Sequence, residues 1–243
     1  GGPGNFALYL TPEYEENQGK LAFWWGSQND PVISNYVPEV NKWTHIAVTH
    51  DPGPGSVILY ADGVNVYSAV NIYDLDPYGS HNFYIGGNDL YDEFFSGKID
   101  EVTIWNQTFS EEEISQKLIA PGQISPELEE NLLAYWDFNN APGDELIDLG
   151  SQNINGTIYG GSIWSDDVPL VGCSDSEASN YDPDANTFSF NCTFIPDIPT
   201  NVTVEGGDGV INISWNSEQL FSNNQDQVNI NSLNRNNQLN IRD

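Results

Sequence analysis

The stretch FYIGGNDLYDEFFSGKIDEVTIWNQTFSEEEI, residues 83–114, decides the fold together with NKWTHIAVTHDPGPGSVILYADGVNVY at residues 41–67. In both, apolar and polar residues alternate with period two, and the runs break at Gly, Pro, Asn or Asp. Alternation buries one face and wets the other, so these runs are predicted strands joined by turns. Asp62-Gly63 lies between two such runs and suits the positive-φ turn of a tight hairpin. After IDEVTIW, Ser110 and Glu113 have capping-box spacing, and Glu111 and Glu112 fall at the positive end of the helix this would start. Ile114 and Leu118 lie one turn apart on one face, so a short helix packs on the sheet and stops before Pro121-Gly122.

Working outward, NFALYL (residues 5–10) and KLAFWWGS (residues 20–27) are further predicted strands, split by the polar TPEYEENQG. Alternation along KLAFWWGS sends Trp24 and Trp25 to opposite faces, so one of them must leave the core. These motifs resemble the laminin-G-like, concanavalin A-like jelly rolls. In that family a W-x-H-x-A-V-T strand (Trp43 to Thr49 here) precedes an L-Y-x-D-G hairpin (Leu59 to Gly63). A G-x-I-D-E-V-x-I-W strand (Gly97 to Trp105) then runs into an L-S-x-x-E-I helix, with Phe109 here in the leucine position. The resemblance covers about half the chain. It implies an all-β, antiparallel jelly-roll sandwich with one short helix over residues 1–125. For function it implies only a range, because this fold serves lectins, adhesins and glycanases alike.

Residues 128–165 resemble the L-x-A-Y-W-x-F-N segment that accompanies such jelly rolls in large bacterial surface proteins. This implies accessory strands over residues 126–170 that dock on the jelly roll. Residues 172–192, GCSDSEASNYDPDANTFSFNC, resemble cysteine-bounded repeats in secreted proteins of marine Bacteroidetes, giving a loop module over 171–194. Residues 195–216 resemble the first two strands of a fibronectin type III domain. Pro199 would lead one strand, a Gly207-Asp208-Gly209 turn would follow, and Trp215 would sit on the second. The Asn- and Gln-rich residues 217–243 hold both arginines, Arg235 and Arg242, and read as a disordered or truncated tail.

Composition narrows the partners. The chain carries 36 acidic residues against 6 basic ones, which argues against nucleic acid, since phosphate binding needs clustered Lys and Arg. No apolar run approaches the roughly 18 residues needed to cross a bilayer, so no membrane insertion is expected. No methionine occurs, even at position 1, and the chain reads as part of a larger multidomain protein. Five N-x-S/T sequons, at Asn106, Asn155, Asn191, Asn201 and Asn212, accompany the two cysteines. In a secreted or cell-surface protein the default for Cys173 and Cys192 is a disulfide, which stabilises by about 3 kcal/mol through loop closure.

No E-x-D-x-x-E string occurs to set two carboxylates on one strand face, and no G-x-S-x-G, so a catalytic role is not expected. Asp100 and Glu101 are expected to brace loop amides or a neighbouring strand, and His45 to be a hydrogen-bonded residue at the core edge. Calcium wants six to eight oxygen ligands. Asn88, Asp89, Asp92 and Glu93 lie where pentraxin-like relatives carry their calcium-binding acidic loop. Asn180, Asp182, Asp184 and Asn186 alternate like a calcium loop, but Ala185 and Asn191 replace the required Gly and Glu, which excludes an EF-hand. A turn or a different calcium site remains for that segment. For sugar binding, whichever of Trp24 and Trp25 leaves the core could stack a ring, beside Tyr36, Tyr73, Tyr78 and Tyr91. The expectation is a non-catalytic module for an extracellular glycan or cell-surface protein, with calcium as an aid. The alternatives are a spacer without ligand or a divergent glycanase.

Overall fold

The computed structural model describes residues 6–12, 18–25, 31–71, 82–88, 93–115, 122, 129–140, 142–187, 192–195, 200–207, 210–216 and 238–239. It is an all-β, antiparallel structure of the concanavalin-like jelly-roll type. Two compact units divide the chain, residues 1–176 with 180–192 and residues 177–179 with 193–243.

In the first unit, β1 (Phe6–Leu10), β2 (Leu21–Trp25) and β3 (Val32–Ile33) form one antiparallel sheet in that order. A second sheet joins β4 (Ile46–Asp51), β5 (Ser56–Ala61) and β6 (Val64–Ala69). The β5–β6 hairpin turns on Asp62 (φ 48°) and Gly63 (φ 76°), the two positive values that a tight hairpin requires. The two sheets close on one core. Leu21, Phe23 and Trp25 of β2 and Val32 of β3 pack with Val57 and Leu59 of β5. Each large side chain so buried contributes about 1.5–3 kcal/mol. VILYA reads as an unbroken apolar run because β5 is covered on both faces. Val57 and Leu59 face this core, whereas Tyr60 and Ile58 pack with Phe109 and Ile114. A register shift opposite Leu59/Tyr60 lets both Val66 and Tyr67 of β6 lie against the core.

Ile114 comes from the predicted helix. Ser110 and Glu113 make the full capping box, and α1 (Glu111–Glu113) is a single turn that sets Ile114 into the second cluster. Leu118 and the predicted stop at Pro121 lie outside the described residues.

Strand β7 (Gly87–Asn88) pairs with β8 (Glu93–Phe94). Strand β9 (Val102–Trp105) pairs antiparallel with β10 (Leu132–Trp136), so the LLAYW strand lies on the IDEVTIW strand. Ala134 and Trp136 of β10 form a third cluster with Leu146, against which Val102, Ile104 and Trp164 pack. Aromatic contacts run from one cluster to another: Phe23 meets Phe6, Phe6 meets Phe83, and Phe83 stacks on Trp136 at 5.9 Å. Asp167 adds a polar clamp, accepting hydrogen bonds from the Trp43 indole at 3.3 Å and from the Lys98 ammonium.

One buried carboxylate organises the turn that leads from β11 (Glu145–Leu146) to β12 (Gly156–Thr157). Asp148, 5 % exposed, accepts backbone N–H bonds from Tyr135, Gly150 and Ile154 at 2.7–2.8 Å. Burial alone would raise its pKa, but those three bonds outweigh it and hold the carboxyl below its ordinary value. Gly150 lies so close to β10 that a Cβ would meet the Ala134 Cα at 2.6 Å and the Leu133 carbonyl at 2.8 Å.

The disulfide Cys173–Cys192 is present and closes the loop predicted from the cysteine spacing. In the second unit, β13 (Thr200–Gly207) and β14 (Val210–Asn216) form an antiparallel hairpin over the segment read as two strands. The tail departs from expectation at β15 (Gln238–Leu239), which pairs with Ile211 and Asn212 of β14. An amide-rich, β-tolerant stretch can complete an open edge without an apolar pattern of its own.

Gly150→Ala and Asp148→Ala should each lower the unfolding free energy by about 2–4 kcal/mol in urea titrations. The Asp148 contribution carries a pH signature. A carboxyl depressed on folding stabilises above its unfolded pKa, so stability should hold down to about pH 4 and fall below it. Asp148→Asn should flatten that acid limb.

Candidate functional site

Packing of β2 decides which tryptophan leaves the core. Leu21, Phe23 and Trp25 face inward, and Trp25 is 5 % exposed. Ala22 and Trp24 therefore face the other way. The register sets Tyr9 of β1 opposite Ala22, and Ala7 opposite Trp24, while Ile33 of β3 also lies opposite Ala22. Two half-buried aromatic residues thus occupy one diagonal of the outer sheet face, and two alanines the other. Ala7 is exposed and Ala22 fully buried, so this face is open towards Ala7 and Trp24 and covered at Ala22. At the border of this face the Lys20 ammonium donates to Asn35 Oδ1 at 3.4 Å, and the Lys20 backbone N–H donates to Thr11 Oγ1.

Tyr36 lies in the loop after β3 as expected, but its side chain turns to the core. It packs against the inter-sheet core, accepts a bond at its carbonyl from the Leu21 N–H, and has its phenol pushed up by burial. Tyr73, Tyr78 and Tyr91 lie outside the described residues. Tyr9 escaped the sequence reading. Its parity with Ala7 was legible, but the cross-strand register that sets it near Trp24 was not.

A second group of polar side chains gathers at one end of the β9–β10 ladder. Asp100 and Glu101 precede β9 and Asp137 follows β10, and antiparallel pairing of Val102 with Trp136 brings both ends together. Glu101 adopts φ 55° and its Oε2 accepts from the Tyr135 hydroxyl at 2.6 Å and the Gly122 N–H at 2.9 Å. This is the bracing of a strand and a loop amide expected from the sequence. Asp100 accepts from the Glu101 N–H at 2.9 Å. Burial first, then the charges of Glu101 and Asp137, push its carboxyl up to about 6. Burial and donation to Glu101 raise the Tyr135 phenol.

His45 is pinned through its backbone, donating to Asp62 Oδ1 at 2.9 Å while its carbonyl accepts from the Asp62 N–H at 2.7 Å. Its side chain differs from the expected hydrogen-bonded one. Nδ1 is buried without a partner among the described residues, and burial lowers the imidazole to about 4.

Of the first calcium group, Asn88 and Glu93 pair across the β7–β8 hairpin, and Asp89 and Asp92 lie outside the described residues. In the cysteine loop, Asp182 Oδ1 accepts from the Asp184 N–H at 3.0 Å, an Asx turn. Asn186 accepts from the Leu170 N–H and donates to the Val168 carbonyl, so two of the four candidate donors serve the turn itself. Asn180 and Asp184 sit on the same loop. Among the described residues no three His, Cys, Asp or Glu side chains converge on a common point.

Residues 1–115 match the concanavalin A-like lectin/glucanases superfamily. That match fits the two-sheet core and the motifs between Trp43 and Ile114. No curated protein matches the chain. Among solved structures, a protein of Bacteroides ovatus ATCC 8483 described as a "putative carbohydrate binding protein" is similar at 23% identity with TM-score 0.51. The similarity covers 65% of this chain and 45% of that protein, so the chain spans less than half its length, and it bears on the fold alone. An S-layer domain-containing protein (residues 221–444) of Clostridium thermocellum ATCC 27405 has 23% identity and TM-score 0.28. That likeness covers 43% of this chain and 54% of the other, and it carries no argument.

The raised Asp100 carboxyl makes a signed prediction. Its stabilising contribution is present below about pH 4 and lost as pH rises through about 6, because ionisation then occurs against burial and two like charges. Asp100→Asn should therefore melt above the parent at neutral pH, with the difference vanishing near pH 4. Equal melting temperatures at both pH values would mean that Asp100 ionises without cost.

Proposed function

We propose that the jelly-roll unit is a non-catalytic carbohydrate-recognition module of a secreted or cell-surface protein, with Trp24 as its stacking surface and Tyr9 beside it. The carrying observation is the half-buried Trp24 on the face opposite the core, diagonal to Tyr9 and beside the exposed Ala7. Flat aromatic faces bordered by an amide and an ammonium are what a pyranose ring stacks on and hydrogen-bonds to. The superfamily match over residues 1–115 and the description of the Bacteroides ovatus protein support this reading. So does the disulfide, which suits an oxidising, extracellular setting. A cell-surface protein partner in place of a glycan would engage the same face.

Glycan hydrolysis is the competing reading. The raised Asp100 carboxyl beside Glu101 and Asp137 is the observation on its side. The commitment of Glu101 to Tyr135 and Gly122 weighs against it, since a nucleophile or acid must be free to reach substrate. Release of reducing ends from a bound glycan, abolished by Asp100→Asn, would favour the glycanase.

Calcium is the second part of the proposal, at the acidic segment from Asn88 to Glu93. Titrating glycans against the parent and Trp24→Ala by calorimetry should show affinity falling about 10- to 30-fold, with the melting temperature little changed. Trp24→Phe should recover part of it. Melting with calcium against chelator should show a rise of several degrees. Flat results in both experiments would leave a spacer without ligand.

A further inference from the structure

We propose that Asn155-Gly156 is a site of spontaneous modification, a deamidation that the closed β11–β12 ladder holds off and that, once it has occurred, stops the ladder from closing again. The chain contains a single Asn-Gly step, and this is it. At such a step the glycine backbone nitrogen attacks the side-chain carbonyl carbon of the asparagine, with no Cβ on the attacking residue to hinder the approach. The new N–C bond closes a succinimide ring, and the C–N bond to the amide nitrogen breaks to release ammonia. Water then opens the ring at either carbonyl. One opening leaves an aspartate, and the other an isoaspartyl linkage in which the main chain runs through the side-chain carbon. The reaction needs water and base, and no oxidant.

Both reacting groups are held away from this reaction in the fold. Asn155 is exposed, so water reaches it, yet its amide is tied at both ends. Its Oδ1 accepts from the Asp148 N–H at 3.0 Å, and its Nδ2 donates to Glu145 Oε1 at 3.0 Å. The attacking nitrogen is occupied as well. The Ile158 N–H donates to the Asp144 carbonyl at 2.7 Å, so two residues further along the ladder Gly156 and Leu146 face each other as a hydrogen-bonded pair. The guard is short, however. Glu145↔Thr157 and Leu146↔Gly156 are the pairs of this ladder, and Glu145 and Thr157 are exposed. Such a ladder opens at far lower cost than the whole domain, and opening frees the Gly156 nitrogen and the Asn155 side chain together.

The product does not fit the place that the asparagine leaves. An aspartate has no N–H to donate, and it sets a carboxylate oxygen where the amide nitrogen lay 3.0 Å from Glu145 Oε1. The isoaspartyl form adds one main-chain carbon between Ile154, whose N–H donates to Asp148 Oδ2 at 2.7 Å, and Gly156 on β12. A strand pair with a fixed register cannot absorb that extra atom and keep both pairs. Deamidation thereby turns a transient opening of the Asp148 turn into a permanent one.

The test incubates the full chain at mildly alkaline pH in native buffer and in unfolding urea. Peptide maps follow the mass gain of NH replaced by O at residue 155, and an isoaspartate-specific methyltransferase reads the second product. Asn155 should convert in native buffer about tenfold or more slowly than in urea. Glu145→Ala, which removes one tie on the amide, should speed the native reaction about two- to tenfold. Gly156→Ala should slow it in both buffers, and its Cβ meets Leu146 Cβ at 3.4 Å, a contact the fold accommodates. Asn155→Asp and the aged, isoaspartyl-containing chain should both melt below the parent. Equal rates in the two buffers, or a native rate unchanged in Glu145→Ala, would show that the ladder is no guard and overturn the inference. No conversion in native buffer while the unfolded chain converts fully overturns the site, and parental melting of both Asn155→Asp and the aged chain overturns the latch.

Discussion

The rest of the first unit depends on the burial of one face of β2 against one face of β5. Leu21, Phe23 and Trp25 meet Val57 and Leu59, and all five are at most 5 % exposed. Because side chains alternate strictly along a strand, fixing that face fixes the other. Trp24 is turned outward as a geometric consequence of where Phe23 and Trp25 go. A slip of one residue in β2 would turn Trp24 into the core and three large apolar groups, Leu21, Phe23 and Trp25, out of it. The functional surface and the core are therefore two readings of a single register.

An acidic chain must find uses for its carboxylates, and this one sets several of them on backbone amides. Asp148 gathers three N–H groups, Asp62 holds His45, Glu101 reaches Gly122, and Asp182 shapes the cysteine loop. Charge-assisted bonds of this kind are stronger than neutral ones, and they spend negative charge where partial positive charge is plentiful. Asp100 accepts from the Glu101 N–H as well, but one such bond does not offset its surroundings. Its ionisation is opposed by burial and by two neighbouring acids, so here the acidic surplus costs stability. The hub at Asp148 and the close approach of Gly150 to β10 belong together. The carboxylate draws the turn in, and the missing Cβ lets it arrive.

Local patterns carried much of this architecture. Period-two alternation, the Asp62-Gly63 turn, the Ser110–Glu113 box and the cysteine pair were legible because each depends on residues close in sequence or on a strong compartment rule. The alternation along β2 narrowed the platform to one of two tryptophans. It could not choose, because choosing needs the partner sheet. Tyr9, the inward turn of Tyr36, the bracing geometry of Glu101 and the Asp148 hub all rest on pairings between residues far apart in sequence, such as β10 lying on β9. Asp148 did leave a trace, in an acidic residue two positions before a glycine, but that pattern is common in turns of every kind.

The orientation of β2 is the claim most directly open to measurement. Fluorotryptophan labelling, with resonances assigned from single Trp→Phe variants, allows each indole to be probed by a soluble paramagnetic agent in fluorine NMR. The Trp24 resonance should broaden markedly while Trp25 stays sharp, as expected for an indole that is 5 % exposed. A broadened Trp25 with a protected Trp24 would mean that β2 is turned over, and the two-sheet core and the aromatic face would both be wrong.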